Sequence, residues 1–94
     1  MNYPAWVHLP EGLSEDQIRK NRLIFLVRRA ALQIDGRGSY RALAEALGLA
    51  HSTFCIYIDR GEFTATVATS VEKLVGRDFA PHELLMNPMG DVNK

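Results

Sequence analysis

The sequence lacks the features on which several classes of protein depend. It has one cysteine, Cys55, so no disulfide within the chain can support the fold. Its longest uninterrupted apolar run, residues 23–27, is far shorter than the ~20 residues that a transmembrane helix needs. The first residues also lack the basic and apolar regions of a signal peptide. We therefore expect a protein of the cytoplasm.

The sequence also lacks net charge. Lys and Arg number 11, as do Asp and Glu, so the overall positive charge typical of nucleic-acid-binding domains is absent. The charges are nevertheless unevenly distributed, with net charges of −3 in residues 1–18, +5 in residues 19–60 and −2 in residues 61–94. Electrostatic attraction to phosphate is screened over about 8–10 Å at ordinary salt, so a local surplus matters more than the total. The same arginines could equally serve only to solvate helix faces.

What the sequence does contain is apolar residues at helical spacing. An apolar fraction of 47% in 94 residues is sufficient for one core. Strand alternation and internal repeats are not apparent. We predict an all-α fold, a compact bundle of about five helices, in which residues 14–86 form the domain, residues 1–13 an N-terminal arm and residues 87–94 a C-terminal tail.

Helix 1 is predicted to begin after Ser14, which forms a capping-box pattern with Gln17, and to end near Gln33. Five consecutive apolar residues within it cannot all lie on one narrow stripe, so this helix should bury two faces. The second face would meet the N-terminal arm or a partner subunit. In the arm, Trp6 is expected to fold back as a lid on the core, and the alternative is that the arm crosses to a second subunit.

Two further helices are predicted downstream. Thr64 or Thr66 would cap a helix that ends at Val75 and Gly76, and Pro81 would precede a short helix at residues 82–86. The expected inward stripe of the longer helix consists of Ala68, Val71, Leu74 and Val75.

Residues 39–61 contain two shorter helical patterns separated by Gly48. Ser39 is a good N-cap for the first, and Gly48 supplies the backbone freedom that ends it. Phe54, Tyr57 and Ile58 recur at the spacing of one buried helix face in the second. Two short helices joined by a tight turn with glycine are typical of a helix-turn-helix.

This stretch resembles the helix-turn-helix of Cro and lambdoid-repressor proteins. The matching small, turn and core positions are Leu43, Ala44, Leu47, Gly48, Leu49 and Phe54. Residues 61–85 are similar to the second half of YdaS/Cro-like phage and prophage regulators, and the positions that carry this similarity are Ala68, Val71, Glu72, Val75, Gly76 and Leu84.

The resemblance implies a transcriptional repressor of a bacterial cell that binds double-stranded operator DNA as a homodimer. The second helix of the motif, His51–Arg60, would lie in the major groove. Residues on its outer face would contact base edges, namely Ala50, His51, Ser52, Cys55 and Ile56. A second set would contact phosphates, namely Arg37, Arg41, Thr53, Tyr57 and Arg60. For the dimer interface the candidates are the second face of helix 1, the arm and residues 84–89.

Two features of this outer face favour an alternative function. It carries no Arg, Lys, Gln or Asn, the side chains that make the strongest paired contacts with bases. It also carries Asp59, which would repel a nearby phosphate. An apolar outer face with Cys55 and Ile56 is equally typical of a module that binds a regulator or host protein on a helix-turn-helix scaffold.

Catalytic and metal-binding patterns are weak. His51, Cys55 and Asp59 share one helix face, but one Cys and one His fall short of the four ligands of a structural zinc site. His8 and His82 are isolated in the sequence and are interpreted as surface or structural histidines. We expect no enzyme activity, metal, cofactor or small-molecule ligand.

Overall fold

The computed structural model describes residues 2–90, in which the chain forms five α-helices and no strand. The predicted all-α bundle is confirmed, with a 3₁₀ turn at Ala5–His8 preceding the helices. The helices are α1 (Glu15–Asp35), α2 (Tyr40–Ala46), α3 (His51–Arg60), α4 (Ala65–Val75) and α5 (His82–Met86). Among these residues no helix is long and apolar enough to cross a bilayer.

The predicted helix starts are confirmed. Ser14 Oγ and Ser39 Oγ each accept the backbone N–H three residues later, at 3.1 and 3.2 Å. At the start of α4 the cap is Thr64 rather than Thr66, and its Oγ1 accepts a backbone N–H at 3.4 Å. Helix α5 begins directly after Pro81, as expected. The hydroxyls of Ser14, Ser39 and Thr64 each satisfy a first-turn amide that has no partner within its own helix.

Helix α1 is the centre of the bundle, because it contacts the other four helices and the 3₁₀ turn. Its buried residues are Leu23, Leu26, Val27, Ala30 and Ala31. These residues form one stripe, and on the second face that the sequence predicted to be buried Ile24 and Phe25 are only half-buried. The arm covers that face through the rings of Tyr3 and Phe25, whose centroids are 5.6 Å apart, and through a 3.0 Å hydrogen bond from Asn21 Nδ2 to the Val7 carbonyl.

The arm packs on the core, but through a different residue from the one predicted. Trp6, expected to be the lid, is 40% exposed, whereas Val7 is fully buried. The 3₁₀ turn points Val7 towards α1, and Asn21 holds its carbonyl there. The indole of Trp6 stays outside, where the guanidinium of Arg28 lies 5.4 Å from its ring centroid in a cation–π contact.

In α4 the inward stripe differs from the prediction at Leu74 and Val67, and Val75 is only half-buried. Leu74 was expected to be inside and is 42% exposed, while Val67 is buried together with Ala68 and Val71. These three positions follow the i, i+1, i+4 pattern of one helix face, and Leu74 falls at the edge of that face.

The C-terminal segment is more closely packed than a tail. Leu84 and Leu85 belong to the core, so the first part of the predicted dimer surface at residues 84–89 is wrong. Pro88 is fully buried, and Arg22 Nη1 donates to its carbonyl at 3.2 Å. This contact ties the start of the expected tail to α1, and residues 91–94 lie outside the described residues.

Candidate nucleic-acid interface

Helices α2 and α3 are joined by a four-residue turn, residues 47–50, built around Gly48. Gly48 has φ +73°. The Gly48 N–H donates to the Glu45 carbonyl at 3.0 Å, and the Leu49 N–H donates to the Ala44 carbonyl at 2.9 Å. This pair of bonds is a Schellman motif, which satisfies the last carbonyls of α2 and sets the direction in which the chain enters α3.

Aromatic packing fixes the rotation of α3 about its axis. Phe54 is fully buried, and its ring centroid lies 6.0 Å from that of Tyr40 and 5.5 Å from that of Phe63. Tyr57 packs edge-on against Phe63 at 5.8 Å, and Ile58 is buried in the next turn. Since these three α3 residues face the core, the opposite face of the helix is directed to solvent.

The outer face of α3 has the composition that the sequence predicted. His51, Ser52, Ile56 and Asp59 are exposed and Cys55 is partly exposed. Ile56 is 50% exposed, and His51 Nε2 lies 3.7 Å from Cys55 Sγ. Among the described residues Asp59 forms no hydrogen bond or ion pair, so these groups do not assemble the linked nucleophile, base and orienting group that catalysis requires.

The start of α3 has no side-chain cap. Ala50 occupies the N-cap position and offers no acceptor to the first-turn amides. Ala50 is exposed, and Thr53 is half-buried. The first-turn N–H groups therefore need water or a ligand oxygen as their acceptor, at the end of the helix that carries a partial positive charge.

Three cationic side chains within residues 37–60 have no intramolecular partner among residues 2–90. They are Arg37 in the loop before α2, Arg41 on α2 and Arg60 at the end of α3, and all three are exposed. Tyr57, also predicted to contact phosphate, is instead half-buried through its contact with Phe63. The available positive charge at the helix-turn-helix thus comes from three arginines.

The loop that carries Arg37 is ordered by Asp35. One oxygen of this carboxylate, Oδ1, accepts the backbone N–H groups of Arg37, Gly38 and Ser39 at 3.0, 3.1 and 3.3 Å. Ser39 then caps α2, so a single hydrogen-bonded turn connects the end of α1 to the start of the helix-turn-helix.

The other cations of residues 19–41 have intramolecular contacts. Arg19 and Lys20 pair with Asp16 at 3.5 and 3.3 Å. Arg29 donates to the Asp78 carbonyl, and Arg22 lies 4.8 Å from the ring centroid of Tyr3. Arg22 and Arg29 thus connect α1 to the arm, to Pro88 and to the α4–α5 loop, whereas the pairs of Arg19 and Lys20 lie within α1.

A cluster of charged residues that the sequence analysis missed joins α4 to α5. Glu72 Oε2 accepts the backbone N–H of His82 at 2.7 Å and lies 2.9 Å from His82 Nδ1. His82 Nδ1 is also 2.8 Å from Glu83 Oε1. Arg77 donates to Glu72 at 3.1 Å and forms a bidentate pair with Glu83. Glu72 thus acts as the N-terminal cap of α5 from a neighbouring helix.

These contacts shift the pKa values of the cluster. The Arg77 hydrogen bonds lower the pKa of Glu83 to about 2, and the His82 backbone N–H is the main cause of the lowered pKa of Glu72. The two carboxylates in turn raise the pKa of Arg77. His82, interpreted from the sequence as isolated, therefore lies between two carboxylates. Glu72, His82 and Glu83 are of the residue types that bind metal ions. In this cluster the positive charge that faces both carboxylates is the guanidinium of Arg77.

The signal for this cluster was present in the sequence but weak. Glu72 lies in the last turn of α4, and His82 and Glu83 open α5 after the short return through Gly76 and Pro81. Glu72 and His82 are ten positions apart in the sequence, and they meet only because the chain reverses direction between α4 and α5.

An open groove of about 350 Å³ lies between α2 and α4. Its lining residues are Ala46, Leu47, Ser70, Lys73 and Leu74. The exposed side chain of Leu74 forms part of this groove, and Lys73 is its one charged residue.

Comparison of the chain with models of protein families, with curated proteins and with solved structures finds no match. The function is therefore argued from the geometry of the α2–α3 unit and its charges.

Proposed function

We propose that this protein is a sequence-specific DNA-binding transcriptional regulator, a Cro-like repressor of phage or prophage type that acts in the bacterial cytoplasm. The observation that carries the proposal is the exposed outer face of α3 on a helix-turn-helix unit that also carries three arginines without an intramolecular partner. A helix of ~10–12 Å diameter fits the major groove of B-DNA, which is about 12 Å wide.

The base contacts would come from the N-terminal half of α3. Ala50, His51 and Ser52 lie at its start, and Cys55 and Ile56 follow one turn later on the same exposed side. In the docking typical of a helix-turn-helix, this end of the second helix meets the base edges.

Phosphate contacts would come from Arg37, Arg41 and Arg60. Their positions before α2, on α2 and at the end of α3 place positive charge along the whole unit. Thr53 and the uncapped amides at the start of α3 would add neutral donors for phosphate oxygens. Such contacts position the protein without specifying a sequence.

We also propose that the protein binds as a homodimer. One helix-turn-helix contacts few base pairs, and pairs of subunits that occupy half-sites ~34 Å apart are the usual solution. No cofactor or small-molecule ligand is part of this proposal.

The test is the salt dependence of binding to duplex DNA from the gene's own neighbourhood. Three phosphate contacts per subunit, six per dimer, predict a slope of roughly −5 for log K against log salt. Arg41→Ala should reduce this slope by roughly two units per dimer and weaken all DNA sequences about equally.

Arg28→Ala is the matched control, since it also removes one positive charge, at an exposed arginine of α1 whose guanidinium lies against Trp6 of the arm. It should leave the slope unchanged. Equal effects of the two variants would contradict the proposed placement of Arg41. Absence of binding to any duplex at low salt would contradict DNA binding itself.

The alternative is a protein-interaction module that binds through the same face. It is favoured by the 50% exposure of Ile56 beside Cys55 and by the exposed carboxylate of Asp59. A purified protein that binds no DNA at low salt, but whose binding to a regulator or host protein is abolished by Ile56→Asp, would support this second function.

A further inference from the structure

The outer face of α3 offers few groups that can form hydrogen bonds with a base. His51 Nε2 lies beside Cys55 Sγ at 3.7 Å, so that nitrogen already has a neighbour on its own helix. Ser52 is exposed and its hydroxyl both donates and accepts, which does not discriminate among bases. Ile56 is the most exposed large apolar side chain of α3.

We infer that sequence recognition depends on the 5-methyl groups of thymine, contacted by Ile56 with support from Ala50 and Cys55. This inference rests on the proposed DNA-binding function and specifies what the site would recognise.

The chemical groups exposed in the major groove favour the 5-methyl of thymine as the group that Ile56 contacts. The base edges in this groove present amino donors, ring-nitrogen and carbonyl acceptors, and one kind of apolar group, the C5 methyl of thymine. Arg, Lys, Asn and Gln, which make paired contacts with guanine or adenine, are absent from α3 before its last residue, Arg60. An exposed isoleucine in this position has no polar contact to make, and burial of apolar surface is the favourable interaction open to it.

Charge complementarity favours DNA rather than a protein as the occupant of this face. The exposed side chain of Ile56 lies on the same helix-turn-helix unit as three arginines that have no intramolecular partner among residues 2–90, namely Arg37, Arg41 and Arg60. Phosphates would engage these cations while the methyl groups meet Ile56.

The expected effect follows from the size of a methyl group. Burying one methyl contributes about fourfold in affinity, so removing one methyl per half-site should weaken a dimer roughly 15-fold. Replacing thymine with uracil removes the methyl and preserves every hydrogen-bonding group of the base pair.

The experiment begins with selection of bound duplexes from a random-sequence DNA library by the full chain. The enriched duplex is then synthesised with uracil in place of thymine, one position at a time. The affinity of the wild-type protein should fall about fourfold when uracil replaces a contacted thymine, and each half-site should contain one or two such thymines. Ile56→Ala should bind the thymine duplex more weakly and lose little on uracil substitution, because it no longer contacts the methyl.

Met86→Ala is the control, because it also shortens an exposed apolar side chain, on α5 and outside the α2–α3 unit, and it should keep the full sensitivity to uracil. Since Ile56 is half-exposed, its truncation should preserve folding, which unchanged thermal unfolding would verify. A second variant, Ile56→Val, should retain part of the sensitivity.

The outcomes separate the two claims. If the library yields no enriched sequence, the proposed DNA-binding function fails and this inference fails with it. If a sequence is enriched but uracil at every position binds as well as thymine, the function stands and recognition through methyl groups is overturned. Equal uracil sensitivity of Ile56→Ala and wild type would also overturn it.

Discussion

At the scale of single residues, Glu72 illustrates how one side chain can set the position of a helix. Its Oε2 accepts the backbone N–H that starts α5 and contacts both His82 Nδ1 and Arg77 Nη1. The α5 residues Leu84 and Leu85 are buried in the core, so the placement of α5 affects packing beyond the cluster itself.

The lowered pKa values of Glu72 and Glu83 predict a dependence of stability on acid. A carboxyl whose folded pKa lies below its unfolded value stabilises the fold at pH above the unfolded value, about 4.5, and this contribution is lost as the pH falls towards the folded value. The stabilising contribution of Glu83 is therefore lost between about pH 4.5 and about pH 2. Between pH 5 and pH 2.5, the free energy of unfolding measured with urea should fall less for Glu83→Gln than for the wild type.

The difference should be small, because Arg77 and Glu83 are partly exposed and solvent screens their attraction. Glu45→Gln is the control, since Glu45 is an exposed carboxylate without an ion pair among the described residues. It should show the acid dependence of the wild type. If Glu83→Gln and Glu45→Gln behave alike, the ion-pair cluster contributes nothing to the acid response.

At the scale of helices and turns, the α2–α3 turn depends on a backbone conformation that L side chains disfavour. Gly48 has φ +73°, and a Cβ added there would meet no atom within 4 Å. The cost of a side chain at this position is therefore backbone strain alone.

Gly48→Ala should lower the free energy of unfolding by ~1–2 kcal/mol, the cost of placing a residue with a Cβ in the left-handed region. Gly48→Asn should cost less, because Asn tolerates this conformation better. Gly61→Ala should cost more than Gly48→Ala, since its Cβ would also lie 3.2 Å from side-chain carbons of Arg19 and Lys20. Chemical denaturation of the three variants checks this order, and an unchanged or raised stability of Gly48→Ala would contradict the assigned turn.

At the scale of the whole molecule, two of the surfaces that the sequence suggested for dimerisation, the second face of α1 and the start of residues 84–89, pack within the chain. The arm covers the second face of α1, and Leu84 and Leu85 are part of the core. The protein measures 36 × 31 × 24 Å, and its remaining exposed apolar side chains include Leu9, Leu32, Leu74 and Phe79. A homodimer would therefore use such exposed residues rather than Leu84, Leu85 or the face of α1 that the arm covers.

We predict that the dimer is more populated on DNA than in free solution, because two half-sites hold two subunits close together and raise their effective concentration. Native mass measurement at micromolar protein should find twice the chain mass of 10.5 kDa on a duplex with two half-sites. A matched duplex with one half-site should bind one chain. A strict monomer on both duplexes would contradict the proposed homodimer.

The elements that could be predicted from the sequence are those determined by neighbours along the chain. Ser14, Ser39 and Thr64 begin helices because each hydroxyl reaches an amide three residues away, and Gly48 ends one through its own φ. The outer face of α3 follows in the same way from the apolar spacing of Phe54 and Ile58. Trp6 and Leu74 were predicted to face the core and are exposed. The burial of such side chains depends on which distant element packs against them, and neighbours along the chain do not determine that.

The amino-acid sequence by itself determined the five helices, the serine caps of α1 and α2 and the face that α3 shows to solvent, because helical hydrogen bonds and side-chain periodicity act within a few residues. Only the tertiary structure decided which cations remain available. Arg22 meets Pro88 and Arg29 meets Asp78 across 66 and 49 residues, while Arg41 and Arg60 meet no partner in residues 2–90. A count of charges cannot distinguish these arginines, since the distinction depends on how distant segments approach one another when the core closes.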